Sequence, residues 1–532
     1  MFKAVAVAVL AVLLAGRPLG AQAARSVPSA VDSIDVRTRN VFDSVDAHRN
    51  LLLAIANAIR FTTRTSVVRR ELLFRPGEPY DSARAQESAR NLRALGLFRE
   101  VRIDTVRSDG RLIARVITAD GWTTSLNANA RSTGGTFTYS LGLTERNFFG
   151  TGTAVGGEYR SDPDRSTLAF HTTMSRVGYT PLAVAGEYDD LSDGRRGTWS
   201  FGVPFRSLSD GWAAAVGGEA AHQRILRFDH APAADGTDSL ITTTYLRRAI
   251  ANSLIASVAP RAGVNGYVRT GISVSIRQEE FIAASDTLAV VPDSTRTAVG
   301  AFVEWLAPRF LVVNHYNGFA RDEDVDLSTK VSVAAWVAPT AFGYESARAG
   351  IGPQVFAQTG VVLGPAFARV RASAGGVFAG GGLDSGTVAA DLTAAIRWPR
   401  QATVLHVEAG SQQHPAPGAE FDLGNGVGPR AFGPHAFNGT RMIWGTVEHR
   451  VFLLDEVLKV LGLGFAGFAD YGGAWYPGEA QRLGGDVGLG LRFGATRSTG
   501  TNLGRLDLAY RFGDGTLGKN RWIVSFGRSY TF

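Results

Sequence analysis

The chain has 532 residues, a formal net charge of +7 and no cysteine. Its length exceeds the roughly 100–200 residues of one ordinary soluble domain, and the missing cysteine excludes disulfide scaffolds, thiolate metal sites and cysteine nucleophiles. Mean hydropathy of +0.01 is too polar for a helical membrane protein, whereas 63 Gly, 30 Phe, 13 Tyr and 9 Trp suit many strands joined by tight turns.

The N-terminus predicts a secretory signal over residues 1–23. Lys3 supplies the positive start, residues 4–15 the apolar run, and Ala21-Gln22-Ala23 the small-residue cleavage site, placed at Ala21 and Ala23. The apolar run falls short of the roughly 20 residues a membrane-spanning helix needs. A linker follows over 24–30. Residues 24–120 carry 17 Arg, no Lys and 12 acids, and the rest of the mature chain balances at 36 basic and 36 acidic residues. That modest excess reads first as a solvated helix face. An exported chain without an aromatic-basic motif gives no reason to expect a nucleic-acid partner.

Residues 31–118 predict a small α/β unit. A strand spans 33–42, with Ile34 and Val36 on one face. Helical spacing marks 51–59 and 66–73, the second with Thr65 as its cap. Asp81 caps a third helix, whose stripe is Ala85, Ala89, Leu92 and Leu95, and Gly96 stops it. Two strands, 100–106 and 112–118, are joined by Ser108-Asp109-Gly110, a hairpin signal.

After Asp120 the apolar period changes from 3.6 to 2. Val487, Leu489, Leu491 and Phe493 alternate with Gly488, Gly490, Arg492 and Gly494. Leu506, Leu508, Tyr510 and Phe512 alternate with Arg505, Asp507, Ala509 and Arg511, and the last strand sets Trp522, Val524, Phe526 and Phe532 on one face. A soluble sandwich also alternates. Here, however, the pattern runs for some 400 residues, and charges share the glycine face, which suits a polar lumen. The fold class predicted is a transmembrane antiparallel β-barrel over 119–532, behind a small N-terminal α/β domain. At roughly 25 residues per strand and connection it has about 16 strands. The number is even if both chain ends lie on the periplasmic side.

Several stretches resemble the bacterial surface antigen family, the BamA/TamA-like outer-membrane assembly factors. TSVVRRELLFRPGEPY (65–80) and ESARNLRALGLF (87–98) look like one POTRA domain. ERNFFGTG (145–152), ARDEDVD (320–326), GPRAF (428–432), GTRMIWGTVEHR (439–450), FADYGGAW (468–475), GLGLRF (488–493) and RLDLAY (505–510) look like barrel segments, in the family's order and spacing. The resemblance implies that Arg430, with Gly428, Phe432 and Gly433 beside it, sits in a loop folded into the lumen, and that Glu448 and Asp470 pair with it. Pro429-Arg430-Ala431-Phe432 stands where the family has Val-Arg-Gly followed by Phe or Tyr. The chain also has room for one POTRA unit, where family insertases carry several.

The function so implied is assistance to insertion of outer-membrane proteins, or passage of secreted polypeptides, with no chemical step and no cofactor. Partners would be unfolded outer-membrane clients or secreted polypeptides, outer-membrane lipid, and periplasmic or lipoprotein accessory factors. The first and last strands would form the seam: Trp122, Asn127 and Asn129 on one side, Trp522, Phe526 and Phe532 on the other. The stretch 122–131 is poor in apolar surface, so a client strand could add there by β-augmentation. A porin-like channel without assembly activity is the alternative. An enzyme has little support, since there is no nucleophile elbow or His-Glu metal motif. The acidic run 322–326 reads as a solvated turn or lumen contact rather than a metal site.

Overall fold

A computed structural model describes residues 30–42 and 61–529 apart from loop segments at 134–135, 233–237, 284–293, 320, 343–348, 425–426, 459, 498–502 and 516–519. The expected cleavage site and the expected helix at 51–59 lie outside the described residues.

The N-terminal unit consists of β1 (Ser33–Arg39), α1 (Thr65–Arg69), α2 (Ser82–Ala94), β2 (Phe98–Ser108) and β3 (Arg111–Asp120). Asp81 caps α2, its Oδ1 accepting from the Ala83 N–H at 2.8 Å. Gly96, at φ +64, ends that helix in the left-handed region that glycine enters freely. Arg64, and not Thr65, is the N-cap of α1, and no side chain caps it. Asp109 and Gly110 both take positive φ, the turn geometry that favours a right-twisted hairpin between β2 and β3. The sheet order is β1-β3-β2, with β1 parallel to β3. Val67, Val68, Phe74, Leu92, Leu97, Phe98 and Val116 form its core beneath the helices.

Among the described residues from Thr124 onward, twenty strands run in chain order round one antiparallel barrel. The number is even, as expected, but larger than about 16. Many turns at the end next to the N-terminal unit are only a few residues, so each strand and connection takes about 20 residues rather than about 25. The period-2 pattern separates the two faces. Leu489 is 73% exposed on the outer face, whereas Arg492, three positions on, is 1% exposed within the lumen. Along a strand successive side chains point to opposite faces, so one residue of offset decides lipid or lumen.

Each pair of barrel strands consecutive in the chain is joined by an antiparallel ladder of defined register. The first strand (Thr124–Thr133) and the last (Trp522–Arg528) are hydrogen-bonded neighbours as well, and their meeting closes the barrel. The first strand begins at Thr124. Trp122 lies ahead of it and donates its N–H to the Arg497 carbonyl at 2.6 Å.

Candidate functional site: a buried charge network in the barrel lumen

The long connection between the strands Gln401–Gln413 and Arg441–Val457 turns back into the lumen. A short hairpin, Phe421–Leu423 with Phe437–Gly439, anchors it. Phe432 is fully buried, with its ring centroid 5.1 Å from that of Phe437, and the two pack with Leu423, Met442 and Trp444. Gly428 sits at φ +77, a conformation L side chains rarely adopt, and its Cα faces Leu423 closely enough that an added Cβ would stand 3.2 Å away. Gly433 places its carbonyl against Gly424, where a Cβ would approach it to 1.9 Å. These backbone features carry Arg430 inward.

Arg430 is 0% exposed. Its Nε donates to Asp470 Oδ2 at 2.6 Å and its Nη2 to Asp470 Oδ1 at 3.0 Å, a two-pronged grip on one carboxylate. Nη1 donates to Glu448 Oε2 at 2.7 Å, and Nη2 also to Thr446 Oγ1 at 3.1 Å. The guanidinium lies 3.8 Å from the centroid of the Phe468 ring. The Ala431 N–H donates to Asp486 at 3.0 Å. The structure therefore brings together Arg430, Glu448 and Asp470.

The cluster is larger than the three residues the sequence pointed to. Glu448 also accepts from Arg450 Nε at 2.8 Å and Arg492 Nε at 3.3 Å. Arg492 reaches Asp507 at 2.6 Å, and Arg505 donates to the same carboxylate. Four arginines (430, 450, 492, 505) thus face four acids (448, 470, 486, 507), each at most 2% exposed. Buried charges persist only when paired and hydrogen-bonded. Arg450, Arg492, Arg505 and Asp507 could be placed on the lumen face by alternation. Asp486 lies on that same face, one alternation step before Gly488, but was not singled out.

A second loop enters from the end next to the N-terminal unit. Residues 308–328 contain the hairpin Phe310–Val313 with Glu323–Asp326. Tyr316 is buried against Phe367, and Phe319 against Phe452 and Leu503. Gly462 leaves room for the Phe319 ring, which a Cβ there would meet at 2.3 Å. Arg450 Nη1 donates to the Tyr316 carbonyl at 2.8 Å and to Asn317 Oδ1 at 3.0 Å. Glu448 and Arg450, two residues apart on one strand, therefore hold one inward loop each. The acidic run, expected to be a solvated turn or lumen contact, also meets the N-terminal domain. Asp324 takes Arg93 of α2 through two bonds of 2.6 and 2.7 Å. The loop thus touches α2 through Asp324 and the Arg430 network through Tyr316 and Asn317.

At the opposite mouth, His435 of the first inward loop stacks on Phe228 with ring centroids 3.6 Å apart. Its Nδ1 meets Asp422 at 2.7 Å and its Nε2 meets Asp164 at 3.1 Å. Burial alone would lower the imidazole pKa, but the two carboxylates outweigh it and raise it to about 9. The contribution of this latch is full below the ordinary pKa of about 6.5 and is lost as pH rises through about 9. Hydrogen exchange in residues 434–438 is expected to stay slow at pH 6.5 and to accelerate at pH 10. His435→Gln should exchange fast at both, and slow exchange in that variant would contradict the latch.

Of the seam residues, Asn129 Nδ2 donates to Ser140 Oγ at 3.2 Å, and Asn127 pairs along the backbone with Gly142. Trp522 and Phe526 point outward, and Phe532 lies outside the described residues.

Residues 60–120 match the POTRA family, described as a surface antigen variable number repeat. No curated protein matches the chain. Among solved structures, a BamA from Haemophilus ducreyi lacking POTRA domains 1–3 is 11% identical with a TM-score of 0.37, covering 93% of this chain and 83% of that one. CdiB from Acinetobacter baumannii is 12% identical with a TM-score of 0.46, over 94% and 74%. CdiB from Escherichia coli is 10% identical with a TM-score of 0.47, over 97% and 92%. None of these likenesses bears on function. In this chain the matched POTRA unit stands directly ahead of the antiparallel β-barrel.

Proposed function

We propose that this protein assists the insertion of outer-membrane proteins or the passage of polypeptides, by parting its wall between the first and last strands. Residues 1–23 are read as a signal, 31–118 as a periplasmic POTRA-like domain and 119–532 as a barrel in the outer membrane. Unfolded clients, lipid and periplasmic or lipoprotein accessory factors are the partners of this reading. No bond is made or broken, and no cofactor is needed.

The observation that carries the reading is the make-up of the two strands that meet where the barrel closes. The first strand presents only Leu126 among large apolar residues on its outer face, alongside Ala128 and Ala130. The last described strand has seven residues, against 17 for Arg441–Val457. In hydrocarbon an unpaired backbone group costs several kcal/mol, so a weak seam is satisfied well by an incoming strand. The two inward loops support assistance over simple conduction, because they occupy lumen that a diffusion pore would leave clear.

The test is reconstitution of the mature protein in liposomes with a denatured outer-membrane protein as client. Faster client folding with small, fluctuating conductance is expected. A large steady conductance with no folding assistance would overturn the reading in favour of a porin-like channel.

A further inference from the structure

A cavity of about 570 Å³ lies between α2 and the barrel turns around 204–211 and 308–328. Its wall mixes aromatic rings with guanidinium groups. Arg269 is held between Phe205 and Tyr267, its Cζ 3.7 and 3.6 Å from the two ring centroids. Arg90 lies 4.3 Å over Phe310. Arg206 donates to the carbonyls of Pro181 and Ser175, and Arg269 to the carbonyl of Ser207 at 2.9 Å.

None of these three cations forms an ion pair among the described residues, whereas most acids of the cavity are engaged. Asp324 is taken by Arg93. Glu323 accepts the Asn317 and Gly318 N–H groups. Glu87 accepts the Leu208 N–H at 2.6 Å. Asp322 is left, on the exposed side. Burial lowers the guanidinium pKa of both Arg90 and Arg206 by more than the neighbouring carboxylates, such as Glu87 and Asp210, raise it. Carbonyls and ring faces orient a guanidinium without neutralising it, so its charge remains available to an anion.

We infer that this cavity binds a carboxylate-bearing, aromatic-rich segment of a polypeptide at the POTRA–barrel junction. The arginines would take its acidic side chains, and Phe205, Tyr267 and Phe310 its apolar ones. A phosphate group would use the arginines and leave the aromatic wall unused, which favours the peptide. The inference rests on the reading of the protein as a handler of polypeptides and names the chemistry of the segment handled.

The test uses the full-length protein in detergent micelles and a fluorescein-labelled peptide alternating Asp with Phe and Val. A second peptide carries Asn for every Asp. Anisotropy is expected to show the acidic peptide binding about tenfold tighter or more, the scale of one charge-assisted contact. Arg90→Gln should lose most of that preference, and Arg90→Lys should keep it, with heat-modifiability of the barrel unchanged in both. Equal binding of the two peptides, or an unchanged preference in Arg90→Gln, overturns the inference. Displacement by inorganic phosphate in place of the Asn peptide's apolar competition, with no loss when the Phe residues become Ala, also overturns it and assigns the cavity to a phosphate-bearing ligand. If client folding is still accelerated while the acidic preference is absent, only this inference fails. If acceleration is absent as well, the functional reading fails with it.

Discussion

Replacing Arg430 by alanine is expected to cost about 3–5 kcal/mol of barrel stability, the range for removing one partner of a buried ion pair. The loss is uneven across the network. Glu448 keeps Arg450 and Arg492. Asp470 loses both prongs of its only ion pair among the described residues, next to Asp486 on the adjoining strand. Two carboxylates then face each other without a cation, and the inward loop loses its tether while Phe432 and Phe437 still hold its base. Heat-modifiability in gels should move to lower temperature, and client folding should fall with it. Arg430→Lys should recover little, since an ammonium cannot grip Asp470 through two nitrogens while reaching Glu448. Wild-type heat-modifiability and activity in Arg430→Ala would remove the tethering role.

Much of the fold was legible because two periods meet near Asp120. Alternation over Val487–Phe493 and Leu506–Phe512 placed Arg492, Arg505 and Asp507 on the lumen side, since a strand has only two faces. Asp81 and Gly96 marked the ends of α2 by cap chemistry that acts locally. Strand number was less legible, because turn length is weakly encoded and a few residues per connection shift the count. The triad Arg430, Glu448 and Asp470 was reached through motif resemblance and not from spacing, since the arginine and its acids sit on different segments. The loop 308–328 was read only in its acidic run, and its partners went unread for the same reason. Its contacts with Arg450 and Arg93 join residues 133 or more positions apart, and no local period reports such a meeting. Asp324 read as part of a solvated turn or lumen contact, and its cation was missed because it lies in another domain.

The seam carries the largest functional expectation. The natural chain has no cysteine, so a pair introduced across the first and last strands has no competing thiol. Opening the wall requires the two strands to part by at least one strand spacing, about 4.8 Å. A disulfide allows its Cα atoms no more than about 7 Å of separation. A cross-linked wall therefore cannot admit a client strand, whatever the state of the lumen loops. The barrel itself should be as stable as before or more so, because the bond closes a very long loop in the unfolded chain. Loss of activity with retained heat-modifiability would separate seam motion from folding.

The most direct measurement is client folding in liposomes by a series of double-cysteine variants pairing positions 124–129 with positions 522–528, assayed before and after reductant. The account predicts folding assistance close to background in the oxidised variants, full recovery on reduction, and unchanged barrel migration throughout. Undiminished assistance from a barrel fully cross-linked at the seam would contradict it.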